Sequence, residues 1–334
     1  MISYLKVKPI IETNTKAILE RLGIQASDQA LIDYCINSYS SGEWHYVTFG
    51  RQTLQGVIGI HLLKWDSDIY GIKIGSIGVI GLAPDVDERQ KKEICYNLIN
   101  KTKKYVRNNN FDMLVCRIPL AELVWIQTLE TAGFLTADLQ CPLIRRNTRN
   151  ISLFTTPKLQ AVIREAHEED IGEVISFGKS AFGQSHLYAD PRLPVDLSDK
   201  LHEEWLKNDI LRGRAKFTFV AEINGELAGF ISVLWDDTQH RIFGVGHGHI
   251  DLIAVRSNFQ RQGVGNFLLT KALERLIQDG ASLVTVSTQA TNLNAIKLYQ
   301  QSGFGLSGFE VTLHGWIDRK KDNPKPRIDG GKLD

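Results

Sequence analysis

The chain has 334 residues, enough for two domains of ordinary size. Hydrophobic residues make up 43% and charged residues 23%, the proportions of a soluble globule, and no stretch approaches the roughly 20 apolar residues of a membrane span. A formal net charge of +1 gives no general reason to expect nucleic acid or an anionic membrane as partner, so any anion site must be local.

The start, Met1 to Leu22, is interrupted by Lys6, Lys8, Glu12 and Lys16 and lacks the apolar core of a signal peptide, which makes the cytoplasm the expected compartment. Cys35, Cys95, Cys116 and Cys141 are far apart and form no C-x-x-C pair. They read as buried reduced thiols rather than a disulfide frame, and no metal is expected. Ile94 to Val106 then predicts an amphipathic helix, Met113 to Cys116 a strand, and Leu123 to Leu129 a helix ending before Gly133-Phe134.

The second half repeats this order. After a polar, proline-broken segment from Asn147 to Pro157, Ala161 to Ser176 predicts a strand and a helix. Phe217 to Glu222 and Leu227 to Trp235 flank Asn224-Gly225, a strong hairpin signal, and His247 to Val255 continues the sheet. Val264 to Ile277 is the next helix, Leu283 to Ser287 a strand, and Ala295 to Tyr299 a helix ending before Gly303-Phe304. Setting Gly133 against Gly303 superposes these elements without a gap, so the chain reads as two copies of one unit. The expected boundaries are residues 1–150, residues 158–320 and a mobile tail, 321–334.

In the second copy, the strand Ile250-Asp251-Leu252-Ile253-Ala254-Val255 runs into Gln260-Arg261-Gln262-Gly263-Val264-Gly265 and opens a helix through Asn266. Glycines without Cβ let an anion approach main-chain N–H groups, and the helix dipole adds partial positive charge there, worth roughly 0.3–1 kcal/mol when exposed. The P-loop would need Gly-Lys-Ser/Thr, and the dinucleotide fingerprint three glycines and a later acid; neither is present. In the first copy Glu93 falls opposite Gly263, Cys95 opposite Gly265 and Leu129 opposite Tyr299. A carboxylate in place of the glycine would repel a pyrophosphate.

Gln260, Gly263 and Gly265 match in register the Q/R-x-x-G-x-G/A loop of the GNAT superfamily of acyl-CoA N-acyltransferases, and Asn292, Tyr299, Gly303 and Phe304 match its later Asn, Tyr and Gly-Phe. The chain resembles that superfamily. The resemblance implies an α/β (α+β) fold of two tandem units, each a mixed, mostly antiparallel sheet flanked by helices, the first degenerate. It implies acetyl-CoA as co-substrate, held by Leu252, Ile253, Ala254, Val255, the loop Gln260 to Asn266 with Arg261, Gln262 and Val264, and Asn292. Tyr299 would be the general acid, and Asp251 or His249 the general base.

Trp65-Asp66-Ser67-Asp68-Ile69-Tyr70-Gly71 is similar to the W-D-S-x-x-F-G signature of the TDP-fucosamine acetyltransferases, whose substrates are nucleotide-linked amino-dideoxy sugars that feed cell-surface polysaccharide synthesis. Their S-R-F-H-x-D segment keeps only its ends here, in Ser185-His186-Leu187-Tyr188-Ala189-Asp190. Tyr188, Asp190 and His314 are the expected substrate contacts. The alternatives are another amine (an aminoglycoside, a polyamine, a protein N-terminus) or a non-catalytic CoA or sugar-nucleotide sensor. The oligomeric state is open, a homodimer included.

Overall fold

The computed structural model describes residues 4–50, 52–146, 161–181 and 183–318. The segment Asn147 to Pro157 and the tail 321–334 lie outside the described residues. The first copy contains α1 (Tyr4–Arg21), α2 (Asp28–Tyr39), β1 (His45–Phe49), β2 (Gly56–Leu62), α3 (Lys64–Tyr70), β3 (Ile74–Leu82), α4 (Glu88–Asn108), β4 (Met113–Pro119), α5 (Leu123–Thr131) and β5 (Leu135–Arg146). The second contains β6 (Ala161–Glu165), α6 (Ile171–Ala181), α7 (His186–Ala189), α8 (Val195–Leu211), β7 (Phe217–Ile223), β8 (Glu226–Trp235) and α9 (Asp237–Phe243). It continues with β9 (Gly246–Val255), α10 (Val264–Gln278), β10 (Ala281–Gln289), α11 (Leu293–Gln301), β11 (Gly305–Leu306) and β12 (Glu310–Trp316). The β7–β8 turn takes positive φ at Asn224 and Gly225, as its sequence predicts.

The strands join into one sheet in the order β1-β2-β3-β4-β12-β5-β10-β9-β8-β7-β6, with β11 on β5. Each copy therefore gives its last strand to the other. β12 pairs antiparallel with β4, from Glu310 opposite Pro119 to Trp316 opposite Met113. β5 makes the equivalent pairs with β10, from Gln140 opposite Gln289 to Arg146 opposite Leu283. Gln140 and Glu310, equivalent in the two copies, face one another where β5 and β12 meet. Two units thus share one hydrogen-bonded sheet around a local two-fold relation.

Helices cover the sheet with separate apolar clusters. α10 and α11 pack Leu268, Leu269, Leu273 and Tyr299 against Ile250, Val284 and Val286. α4 and α5 do the same for Leu114, Cys116 and Ile118 of β4. The four cysteines are buried and free.

The opposite face of the central strands is polar. Register places His249 beside Thr285, Gln289 beside Gln140, and Asp138 beside Thr312. It continues with Thr312 beside Arg117, His314 beside Val115, and Val115 beside Ser76. Because side chains alternate with period two, these residues form a floor that runs from the second unit to the first.

Candidate active site

β9 pairs with β8 as far as Val255, but its parallel pairing to β10 ends at Ile250. From Asp251 onward the two strands part, and half of the main-chain groups of residues 252–255 face an opening instead of a strand. Asp251 is itself the extra residue of a bulge: Val233 pairs Ile250 and Ser232 pairs Leu252. The bulge exchanges faces, since Ile250 packs toward α10 whereas Leu252 and Ala254 pack toward α6 and α8.

The loop after β9 closes one end of this opening. Gln260 donates from Nε2 to Val255 O at 3.0 Å, and Arg261 (φ 59°) and Gly263 (φ 90°) turn the backbone into α10. Gly263 is the helix N-cap and offers no side-chain acceptor. The first-turn N–H groups are therefore left for an external anion. At Gly265 an added Cβ would meet only Leu298 and Val255, both at 3.6 Å. Packing does not demand the glycine there, whereas close approach of a ligand would. Asn266, in the same turn, has a buried Oδ1 without a partner among the described residues. A glycine cradle, open N–H groups and an orphaned acceptor fit the pyrophosphate and pantetheine parts of acetyl-CoA.

The first copy differs more deeply than the expected Glu93-for-Gly263 exchange. Its helix α4 starts at Glu88, opposite Asn258, so Glu93 lies inside a helix and the loop is gone. Asp87 caps that helix, its Oδ1 accepting from Arg89 N at 2.8 Å. A side-chain carboxylate of the protein already occupies the place an anion would take.

The candidate catalytic residues of the second unit have different surroundings. Tyr299 is 3% exposed and packs edge-on to Phe304 at 5.8 Å, and burial pushes its phenol above the ordinary tyrosine range, so it stays protonated. Asn292 caps α11, its Oδ1 accepting from Ala295 N at 3.2 Å. Asp251 is engaged: Arg214 donates to its Oδ2 at 2.6 Å and to Asp209 Oδ1 at 2.5 Å. Burial, followed by the charge of Asp251, pushes Asp209 up to about 6.

His249 sits in a directional chain. Gln239 Oε1 takes the proton of His247 Nδ1 at 3.1 Å, so His247 Nε2 accepts from the Thr285 hydroxyl at 2.8 Å. Thr285 Oγ1 in turn accepts from His249 Nδ1 at 2.9 Å, which leaves the lone pair on His249 Nε2. Burial holds both imidazoles below their usual value, His247 at about 4, so they are neutral at pH 7.

A second chain involves the expected substrate contacts. Asp190 accepts at Oδ2 from Trp316 Nε1 and His314 Nδ1, both at 2.8 Å, and at Oδ1 from Arg192 N at 3.0 Å. Burial alone would raise its pKa, but these donors outweigh it and hold the carboxyl below its ordinary range. His314 is only 1% exposed and its Nε2 meets His186 Nδ1 at 2.9 Å. Tyr188 is also turned inward: its hydroxyl donates to Asp199 Oδ1 at 2.8 Å and its ring stacks on His202. Gln184, just before α7, meets Thr291 beside the Asn292 cap of α11 at 3.4 Å. His186, Arg214 and Asp209 were not singled out by their local sequence. His186 lay within a recognised segment, and its offset from the expected position hid it.

Residues 183–304 match the acetyltransferase (GNAT) family profile. The chain is 29% identical over 147 residues to the spore coat polysaccharide biosynthesis protein SpsD of Bacillus subtilis (strain 168), covering 44% of this chain and 48% of that protein. It is 34% identical over 86 residues to N-alpha-acetyltransferase 30 of Xenopus laevis, 26% of this chain and 30% of that one. It thus spans less than half the length of either relative. The solved structure of a tandem GNAT protein from the clavulanic acid biosynthesis pathway is similar in fold, with a TM-score of 0.53 and 13% identity over 87% of this chain and 88% of that one. Residues 183–304 are thus similar to the acetyltransferase (GNAT) family, in a chain whose fold is similar to that of a tandem protein.

Proposed function

We propose that the chain transfers an acetyl group from acetyl-CoA directly to the amino group of a nucleotide-linked amino-dideoxy sugar. The carrying observation is the uncapped start of α10 beside the parted strands β9 and β10, found in the second unit and replaced by a self-capped helix in the first. Main-chain N–H groups of residues 252–255 that face the opening stabilise the developing oxyanion. His249 Nε2 takes the ammonium proton, with Asp251 as the nearby carboxylate, and Tyr299 returns a proton to the departing thiolate. The sugar acceptor is supported by the Trp65 to Gly71 signature, by the polysaccharide role in the name of the Bacillus relative, and by the polar floor leading to the first unit.

The test is release of free thiol from acetyl-CoA with a panel of nucleotide amino sugars, a peptide N-terminus, a polyamine and an aminoglycoside. Turnover fastest with a nucleotide amino sugar is expected. A preference for the peptide would favour the activity named for the Xenopus relative, and thiol release with none would leave the sensor alternative.

A further inference from the structure

A cavity of about 380 Å³ lies between the first unit's strands β3 and β4, helix α3, and the second unit's α7. It is at the lower end of small-molecule sites, roughly 300–1,000 Å³. It lies outside residues 252–266, and its lining combines apolar side chains with Asp66, Ser76, Arg117 and His186.

Arg117 has the character of an anion donor. Its Nε lies 3.4 Å from Thr312 Oγ1, and among the described residues it forms no ion pair within 4.0 Å. Arg117 is exposed on β4 and lines the cavity, so its guanidinium is open to an entering ligand. A planar guanidinium suits phosphate or carboxylate oxygens.

His186 has the opposite character. Asp190 can only accept, so His314 Nδ1 carries the proton, and His314 Nε2 accepts from His186 Nδ1. The lone pair of His186 is thereby fixed on Nε2, an acceptor for a hydroxyl hydrogen. Burial, then the neighbouring His314 imidazole and the Arg117 charge, hold this imidazole down at about 3, so it stays neutral. Asp66 is a further acceptor on the α3 side. It comes from the Trp65 to Gly71 signature, in which Ser67 and Gly71 have local structural work: Ser67 Oγ accepts from Ile74 N at 2.9 Å, and Gly71 caps α3 at φ 67°.

We propose that this cavity binds the anionic group of a hydroxylated small molecule, with Arg117 donating to the anion and His186 and Asp66 accepting its hydroxyl hydrogens. The identification of that molecule with the acyl acceptor rests on the function proposed above; the site itself does not. Most of the cavity's lining comes from the unit without the glycine loop, which gives that unit a binding role.

The test is titration calorimetry on the full chain with glucose 1-phosphate, gluconate and glucose, alongside acetyl-CoA. Binding of glucose 1-phosphate or gluconate near one per chain, at least tenfold tighter than glucose, is expected, and the better of the two names the anion as phosphate or carboxylate. Arg117→Met should weaken it at least tenfold and His186→Phe severalfold, with acetyl-CoA affinity kept as the check on folding; Arg117→Gln serves if Arg117→Met does not fold. No binding of either anion, or binding indifferent to the Arg117 change, overturns the proposal. Failure of acetyl-CoA to bind the unaltered chain would instead count against the acetyltransferase reading and leave the cavity result standing.

Discussion

Tyr299 is buried against Phe304 on the helix that Asn292 caps, so its ring has a packing role whatever its hydroxyl does. Tyr299→Phe keeps that packing and removes only the proton donor. We expect kcat to fall by about 10²–10⁴-fold, the usual range for general acid catalysis, with acetyl-CoA affinity nearly unchanged. Steady-state kinetics under conditions where chemistry limits the rate decide this, and an unaltered kcat would return Tyr299 to the core. The glycine loop before α10 was legible in the sequence because its physics is local: Gly263 turns the backbone at positive φ, and Asn292 caps its own helix with a side-chain oxygen. The Asp190, His314 and His186 chain was not legible as a chain. Its members belong to α7, the loop after it, and β12, and only tertiary pairing brings them together.

At the scale of elements, β9, α7, α8 and β12 put histidines on or over the polar face of the sheet. His186, His202, His247, His249 and His314 all have pKa values lowered first by burial. The unfolded chain binds their protons at about pH 6.5 and the folded chain only below it, so their contribution to stability is present above that pH and is lost as pH falls. Asp209, raised to about 6, works in the opposite sense as pH falls through that value, one group against five. Urea unfolding should therefore show a lower midpoint at pH 6 than at pH 7.5, and a midpoint that is constant or higher at pH 6 would contradict the assignment. Helices and strands of both copies follow their sequence periodicity, but the reciprocal placement of β5 and β12 does not. Hydrophobic patterning states that a strand is buried, not which neighbour it pairs with. The loss of the first copy's loop shared this fate, since Glu93 marked a changed residue while the cause was a helix begun early at an Asp87 cap.

For the whole molecule, exchange of the last strands makes each unit complete only with the other, and the shared polar face connects the parted strands of the second to the cavity of the first. The asymmetry between the starts of two corresponding helices is the centre of the account. One is capped by its own aspartate, the other opens on glycine with its N–H groups free. Titration calorimetry of the full chain with acetyl-CoA measures that asymmetry directly. A stoichiometry near one per chain, abolished by Gly265→Glu, is the predicted result; a stoichiometry of two, or one site that survives Gly265→Glu, would contradict it.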